Sequence, residues 1–251
     1  MAQFKNPHDS HRHSLETLNM LYEYDSFMES LKVVADMGCG AGLDTEWFAT
    51  LTTRDDPPEP HEYLCYAVDK NNSQIESSVL ENKNVVPIEG NFEERLIPRQ
   101  VDLMWAHNSF QYVINPLSTL KVWNETMNIN GMLVLNVPLS QTYQYNRLKS
   151  RSENGCYYNY NICNIIYMLA VNGFDCRDSY FDMQENNPWL KAAVYKSDHA
   201  PMDPATTTWF DLVDKRLVND SVMLSLNKYG EVRQEELLFT WLDRDWRYAK
   251  N

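Results

Sequence analysis

Three of the chain's eight glycines fall within five positions, inside the stretch VVADMGCGAGLDTEWFA from Val33 to Ala49. An apolar run leads into Gly38, Gly40 and Gly42, and Leu43, Trp47 and Phe48 follow at helical spacing. The segment therefore reads as a buried strand, a glycine turn and a helix. Such a turn presents backbone N–H groups at the positive end of a helix, and missing side chains let a ligand approach the main chain closely. In a doubly wound sheet it lies at the carboxyl end of the first strand, where ligands bind. The competing reading is a tight turn with no ligand, which a single glycine would suit better than three.

The rest of the chain repeats the strand and helix alternation. YLCYAVD (Tyr63 to Asp69), VVPIEGN (Val85 to Asn91), VDLMWAHN (Val101 to Asn108) and GMLVLNVP (Gly131 to Pro138) read as strands two to five. Between them NSQIESSVLEN and PLSTLKVWNETM carry helical spacing. FDCRDSYFDM and WLKAAVYKSD follow the helix ICNIIYMLAVNG, close enough together to be antiparallel. The expected fold is α/β, a doubly wound, mostly parallel seven-stranded sheet with helical additions at both ends. The expected division is residues 1–32 as a tail and helical segment, 33–200 as the ligand-binding domain, and 201–251 as a helical extension. Within the first, residues 1–13 read as a mobile tail, and the apolar spacing from Leu15 to Leu31 reads as one helix or two short ones. Within the last, helices are expected near Trp209 to Leu226 and Gln234 to Tyr248. A tyrosine-rich insertion occupies residues 140–161.

The glycine spacing discriminates among nucleotide ligands. A dinucleotide fingerprint, GxGxxG, needs glycine where Leu43 stands, and no Lys-Ser or Lys-Thr follows to make a phosphate-binding loop. DMGCGAG instead resembles motif I of the class I S-adenosylmethionine-dependent methyltransferases, and the resemblance runs in order through about residues 33 to 138. It implies a Rossmann-like methyltransferase fold and S-adenosyl-L-methionine as cofactor. It places Asp36, Gly38, Cys39 and Gly40 of the loop against that cofactor. Asp69, ending the second strand, matches the acidic residue that bonds the ribose hydroxyls. IEGNFEERL, with Asn91 and Phe92, matches the segment that meets the adenine, although the family often has Asp where Asn91 stands. His107, ending the fourth strand, completes the cofactor set. NINGMLVL retains only Gly131 of a Lys-Pro-Gly-Gly turn common in the small-molecule branch.

Composition narrows the partners. The net charge of −13, with 22 scattered Lys and Arg residues, disfavours nucleic acid. The longest apolar run, Ile165 to Val171, is far too short to cross a bilayer, and the polar start lacks the apolar core of a secretory signal. Five cysteines with no CxxC pair suit free thiols in a reducing compartment, with neither disulfides nor a metal site. The expectation is a cytoplasmic enzyme without membrane contact, for which a homodimer is a compatible state.

Methyl transfer from a sulfonium needs a base only when the acceptor arrives protonated. His107 and Tyr112 are the candidates after the fourth strand, each with an ordinary packing role as the alternative. Tyr143, Tyr145, Tyr157, Tyr158 and Tyr160 lie where the family inserts segments over the substrate, and they suit stacking or plain packing equally. His8, His11 and His13 read as solvated residues of the tail. The leading expectation is a methyltransferase acting on a small-molecule acceptor. A protein or nucleic-acid acceptor, and a non-catalytic cofactor-binding or assembly protein, remain the alternatives.

Overall fold

A computed structural model describes residues 7–23, 25–52, 59–60, 62–138, 158, 160–182 and 189–220. Seven strands form one sheet: β1 (Val33–Met37), β2 (Leu64–Asp69), β3 (Val85–Glu89), β4 (Val101–His107), β5 (Met127–Pro138), β6 (Phe174–Asp182) and β7 (Trp189–Lys196). Their order is β3-β2-β1-β4-β5-β7-β6. β1 pairs in parallel with β2 and β4, β2 with β3, and β4 with β5. β7 runs antiparallel to both β5 and β6. The expected seven-stranded, mostly parallel sheet is thus present.

Successive residues of a strand face opposite sides of a sheet, and the core divides accordingly. Val33, Ala35 and Met37 of β1 face one side, where they meet Leu120 and Trp123 of α5 (Pro116–Thr126), Ile165, Ile166 and Leu169 of α6 (Ile162–Val171), and Leu212 of α7 (Trp209–Asp214). Val34, Leu103 and Trp105 face the other side. There they pack on Leu18 and Leu21 of α1 (Pro7–Tyr22), Phe27 and Met28 of α2 (Asp25–Ser30), Phe48 of α3 (Leu43–Ala49) and Val79 of α4 (Ser77–Leu80). A sheet covered on both faces explains why β1 is buried at all five positions rather than alternating with polar residues.

Side-chain caps fix several helix starts. Asn115 accepts the Ser118 N–H ahead of α5, whose first residue is Pro116, and Asn161 accepts the Asn164 N–H ahead of α6. Thr208 and Asp211 form a reciprocal capping box at α7.

Several local expectations shift. Residues 7–13, read as part of a tail, are the first turns of α1, and Pro7 suits a position where its missing N–H leaves nothing unpaired. The helix holds because Ser14, Thr17, Leu18 and Leu21 form one buried face against the sheet domain. That face mixes hydroxyls with leucines, so apolar periodicity alone finds only its second half. The segment after β2 is a 3₁₀ turn, Asn72–Gln74, followed by the short α4, rather than one helix. β5 begins at Met127, four residues before Gly131, across a register shift between Val101 and Leu103. The helix near Trp209 stops at Asp214, with Arg216 in the left-handed region. The expected helix from Gln234 to Tyr248 lies outside the described residues. No helix among the described residues is long and apolar enough to cross a membrane.

Candidate functional site

Chain order makes β1 and β4 neighbours although β2 and β3 intervene in sequence, because the chain leaves β3 at one edge and crosses back. Loops that diverge on either side of such a switch point leave a crevice at the strands' carboxyl ends. A cleft of about 590 Å³ opens here. Gly38, Cys39, Gly40 and Ala41 come from the loop after β1, Leu43 and Asp44 open α3, Gln74 follows β2, His107 ends β4 with Asn108 just after it, and His11 descends from α1.

Two glycines shape the loop for different reasons. Gly38, at φ +82°, has no room for a side chain, since a Cβ there would stand 2.5 Å from the Ser109 Cβ. Gly40, at φ +55°, faces open space, and a Cβ there would meet nothing within 4 Å. A side chain at Gly40 would project where a ligand needs to approach the main chain. Most of the loop's N–H groups are nevertheless engaged inside the protein, contrary to the sequence expectation of free donors. Gly38 and Cys39 donate to the Val68 carbonyl at 2.8 and 3.1 Å, and Gly42 donates to Cys39. Gly40 N–H donates to Asp69 Oδ2 at 3.0 Å, while Asp69 Oδ1 accepts from Asn71 N–H. A loop with its donors so committed is poorly suited to a phosphate. It suits a ligand held by shape; Asp69, which fixes the loop through Gly40, is not itself among the residues lining the cleft. The fit to S-adenosylmethionine rests on that bare face at Gly40 with Asp69 turned into the loop.

Other residues from the sequence expectation take different places. Asp36 lies beneath the loop, buried, with its carboxylate accepting from the Thr45 hydroxyl at 2.7 Å. Burial pushes its carboxyl well above the usual range, and the charge of Asp44 adds to this against the Thr45 hydrogen bond. Burial likewise pushes the Cys39 thiol far up, helped by Asp36 and Asp69, so Cys39 lines the cleft as a neutral group. Asn91 is exposed, and its side chain accepts the Glu93 N–H in a local turn. Phe92 packs beside Gly38 and against Trp123, whose indole N–H donates to the Phe92 carbonyl. Neither Asn91 nor Phe92 is among the residues lining the cleft.

His107 does line it, between Trp105 (ring centroids 6.3 Å apart) and Trp189 (5.4 Å). Its Nδ1 lies 3.0 Å from the Asn136 amide nitrogen, which also reaches the Thr17 hydroxyl. Tyr112 ends a 3₁₀ turn, Phe110–Tyr112, and is not among the lining residues. Of the late tyrosines, Tyr160 is buried and stacks on Phe110, and Tyr158 is exposed with its hydroxyl donating to the Ile114 carbonyl. Tyr143, Tyr145 and Tyr157 lie outside the described residues. Among the described residues, no cluster of three or more His, Cys, Asp or Glu side chains could hold a metal ion.

One constellation escaped the sequence. Asp44 Oδ1 lies 2.5 Å from His11 Nδ1 and accepts the Ser14 hydroxyl at 2.6 Å, while Oδ2 accepts the Trp105 indole N–H at 2.9 Å. Further along the same helix, Glu16 meets the buried Lys191 ammonium at 2.7 Å. The signal available was the spacing of His11, Ser14, Leu18 and Leu21, which shares one helical face.

A doubly wound sheet with this strand order and an antiparallel β7 is the fold of the class I S-adenosylmethionine-dependent methyltransferases. Solved structures bear the likeness out at low identity. An S-adenosylmethionine-dependent methyltransferase from Clostridium acetobutylicum matches 76% of this chain and 100% of its own, at 12% identity and TM-score 0.52. A chain of a Haloferax volcanii complex, which pairs a methyltransferase activator with a methyltransferase, matches 70% of this chain and 88% of its own, at 12% identity and TM-score 0.53. The StiE O-methyltransferase region matches 75% of each chain at 11% identity and TM-score 0.52. No family model and no curated protein sequence matches the chain.

Proposed function

We propose that this chain is an S-adenosylmethionine-dependent methyltransferase acting on a small-molecule acceptor. The observation that carries the reading is the cleft at the β1/β4 switch point, where Gly40 offers bare main chain and Asp69 is turned into the same loop. Main chain from Gly38 to Ala41 would hold the cofactor, and Asp69 has the acceptor capacity that ribose hydroxyls require. When bound, the cofactor supplies an electrophilic methyl group on a sulfonium. The protein's contribution is to align the acceptor with that group and to exclude water. A cleft of this size lies within the range of small-molecule sites, roughly 300 to 1,000 Å³. Among the described residues its lining contains no Lys or Arg, which favours a small molecule over a phosphate-rich polymer.

We read the enzyme as cytoplasmic, with residues 33–200 as the cofactor domain between the terminal additions. Calorimetric titration with S-adenosylmethionine and with its demethylated product tests the proposal, and binding of both below millimolar concentration is expected. If neither ligand binds, the proposal fails. Labelled methyl donor incubated with a deproteinised cell extract then identifies the acceptor class.

A further inference from the structure

We propose that His11, held by Asp44, is the base that takes the proton from the methyl acceptor. The inference rests on the methyltransferase reading and adds that the acceptor arrives carrying a proton on the reacting atom, as a hydroxyl does. Asp44 receives the Ser14 hydroxyl, the Trp105 indole and His11 Nδ1. An indole N–H can only donate, and an ionised carboxylate can only accept. Nδ1 of His11 therefore carries the hydrogen, and Nε2, on the opposite edge of the ring, is the basic nitrogen. His11 lines the cleft beside the glycine loop with its side chain 24% exposed, while Asp44 is 10% exposed. A buried carboxylate thus fixes the tautomer of a reachable imidazole, the arrangement by which a carboxylate prepares a histidine for general-base work.

His107 is arranged the opposite way. The Asn136 amide nitrogen faces its Nδ1 and can only donate, so Nδ1 accepts and the proton sits on Nε2. Of the two histidines that line the cleft among the described residues, His11 is the one prepared to accept a proton at Nε2.

The step balances without a further reactant. The acceptor's proton passes to His11 Nε2 as the acceptor atom bonds the methyl carbon. The electron pair of the broken sulfur–carbon bond stays on sulfur. The positive charge that began on the sulfonium ends on the imidazolium, which Asp44 stabilises.

Imidazole ¹⁵N spectra of the full chain test this without knowledge of the acceptor. His11 is expected as the Nδ1–H tautomer. Its Nε2 signal should differ between the S-adenosylmethionine complex and the complex with the demethylated product, which lack only a methyl group and a charge relative to each other. The His199 signal should not differ. In Asp44→Asn the amide must turn its oxygen to the Trp105 donor and its NH₂ to His11, so the tautomer should invert to Nε2–H. Methyl transfer into a deproteinised extract should fall by about 100-fold or more in His11→Gln, with S-adenosylmethionine affinity within about threefold of wild type. Identical Nε2 signals in the two complexes, or undiminished transfer by His11→Gln, would overturn the proposal and leave the methyltransferase reading intact. Equal loss of affinity and transfer would make His11 a cofactor anchor instead. Failure of the wild type to bind either ligand would remove the underlying reading itself.

Discussion

The carboxylate of Asp69 accepts the N–H of Gly40 at 3.0 Å, so the end of β2 fixes the glycine loop that follows β1. One side chain thereby sets the loop's shape, and the proposed function adds to it the binding of the ribose hydroxyls. Replacing Asp69 by Ala should weaken S-adenosylmethionine binding by roughly 10- to 100-fold, the range for losing a charge-assisted hydrogen bond. Calorimetry on the variant and on wild type measures it. An unchanged affinity would place the ribose elsewhere.

Gly38 and Gly40 should separate stability from binding. Gly38→Ala drives a Cβ to within 2.5 Å of Ser109 in a left-handed backbone, and a loss of about 2–4 kcal/mol in stability is expected. Gly40→Ala meets no neighbour and should cost only about 1 kcal/mol, from the backbone conformation. Gly40→Val adds the further strain of a β-branched residue at φ +55°, and should cut cofactor affinity by about tenfold or more because its side chain occupies the cleft. Denaturant unfolding and titration on the same three variants distinguish the two effects.

Asp36 makes stability depend on pH. The folded carboxyl keeps its proton above the ordinary value of 3.8, chiefly because it is buried. As pH rises past that value the unfolded chain releases the proton first, so the native state loses stability until the folded carboxyl also ionises. Asp36→Asn removes this titration. The stability of the variant relative to wild type should therefore rise between pH 4 and pH 7, in urea titrations at each pH. A constant difference across that range would mean the carboxyl ionises normally.

Lys191 is 5% exposed and lies 2.7 Å from Glu16 and 3.7 Å from Asp182, which is itself 9% exposed. Lys191→Met should cost about 3–5 kcal/mol, since it leaves the Asp182 carboxylate buried without its cation. Adding Asp182→Asn should recover part of the loss, and a double-mutant cycle measures how much. Additive effects would show that the two groups do not interact.

Tryptophan at 105 ties the sheet to Asp44 through its indole N–H. Trp105→Phe keeps the ring but removes the donor, and a cost of about 1–3 kcal/mol is expected from the acceptor left unpaired together with the smaller ring. Thermal unfolding of the variant reports it. Since Asp44 also holds His11, the His11 ¹⁵N signal should broaden or shift in the same variant.

Much of this architecture was legible in the chain itself. Apolar runs such as Val33 to Ala35 and Leu103 to Ala106 identify buried parallel strands, and the glycine spacing after Asp36 marks the turn that follows the first of them, because both signals come from a few adjacent residues. Asp69 could be singled out for the same reason, as a carboxylate at a strand end following that turn. What a linear pattern cannot express is which distant groups meet. His11 and Asp44 are 33 residues apart, Asp44 and Trp105 61 apart, and Lys191 and Glu16 175 apart. The contacts of His11 and Glu16 exist because α1 lies over the carboxyl ends of β1, β4 and β5 and the amino end of the antiparallel β7, and Asp44 meets Trp105 because α3 packs on β4. The sequence by itself determined the alternating elements, the turn at Gly38 to Gly42 and the acid at Asp69. Tertiary packing alone decided that Asp36 is buried beneath the loop, that the loop's N–H groups are spent on Val68 and Asp69, and that a histidine from the chain's first helix faces the cleft. Local propensity and periodicity act over a few residues, whereas desolvation and hydrogen-bond partnership depend on everything that packs around a group.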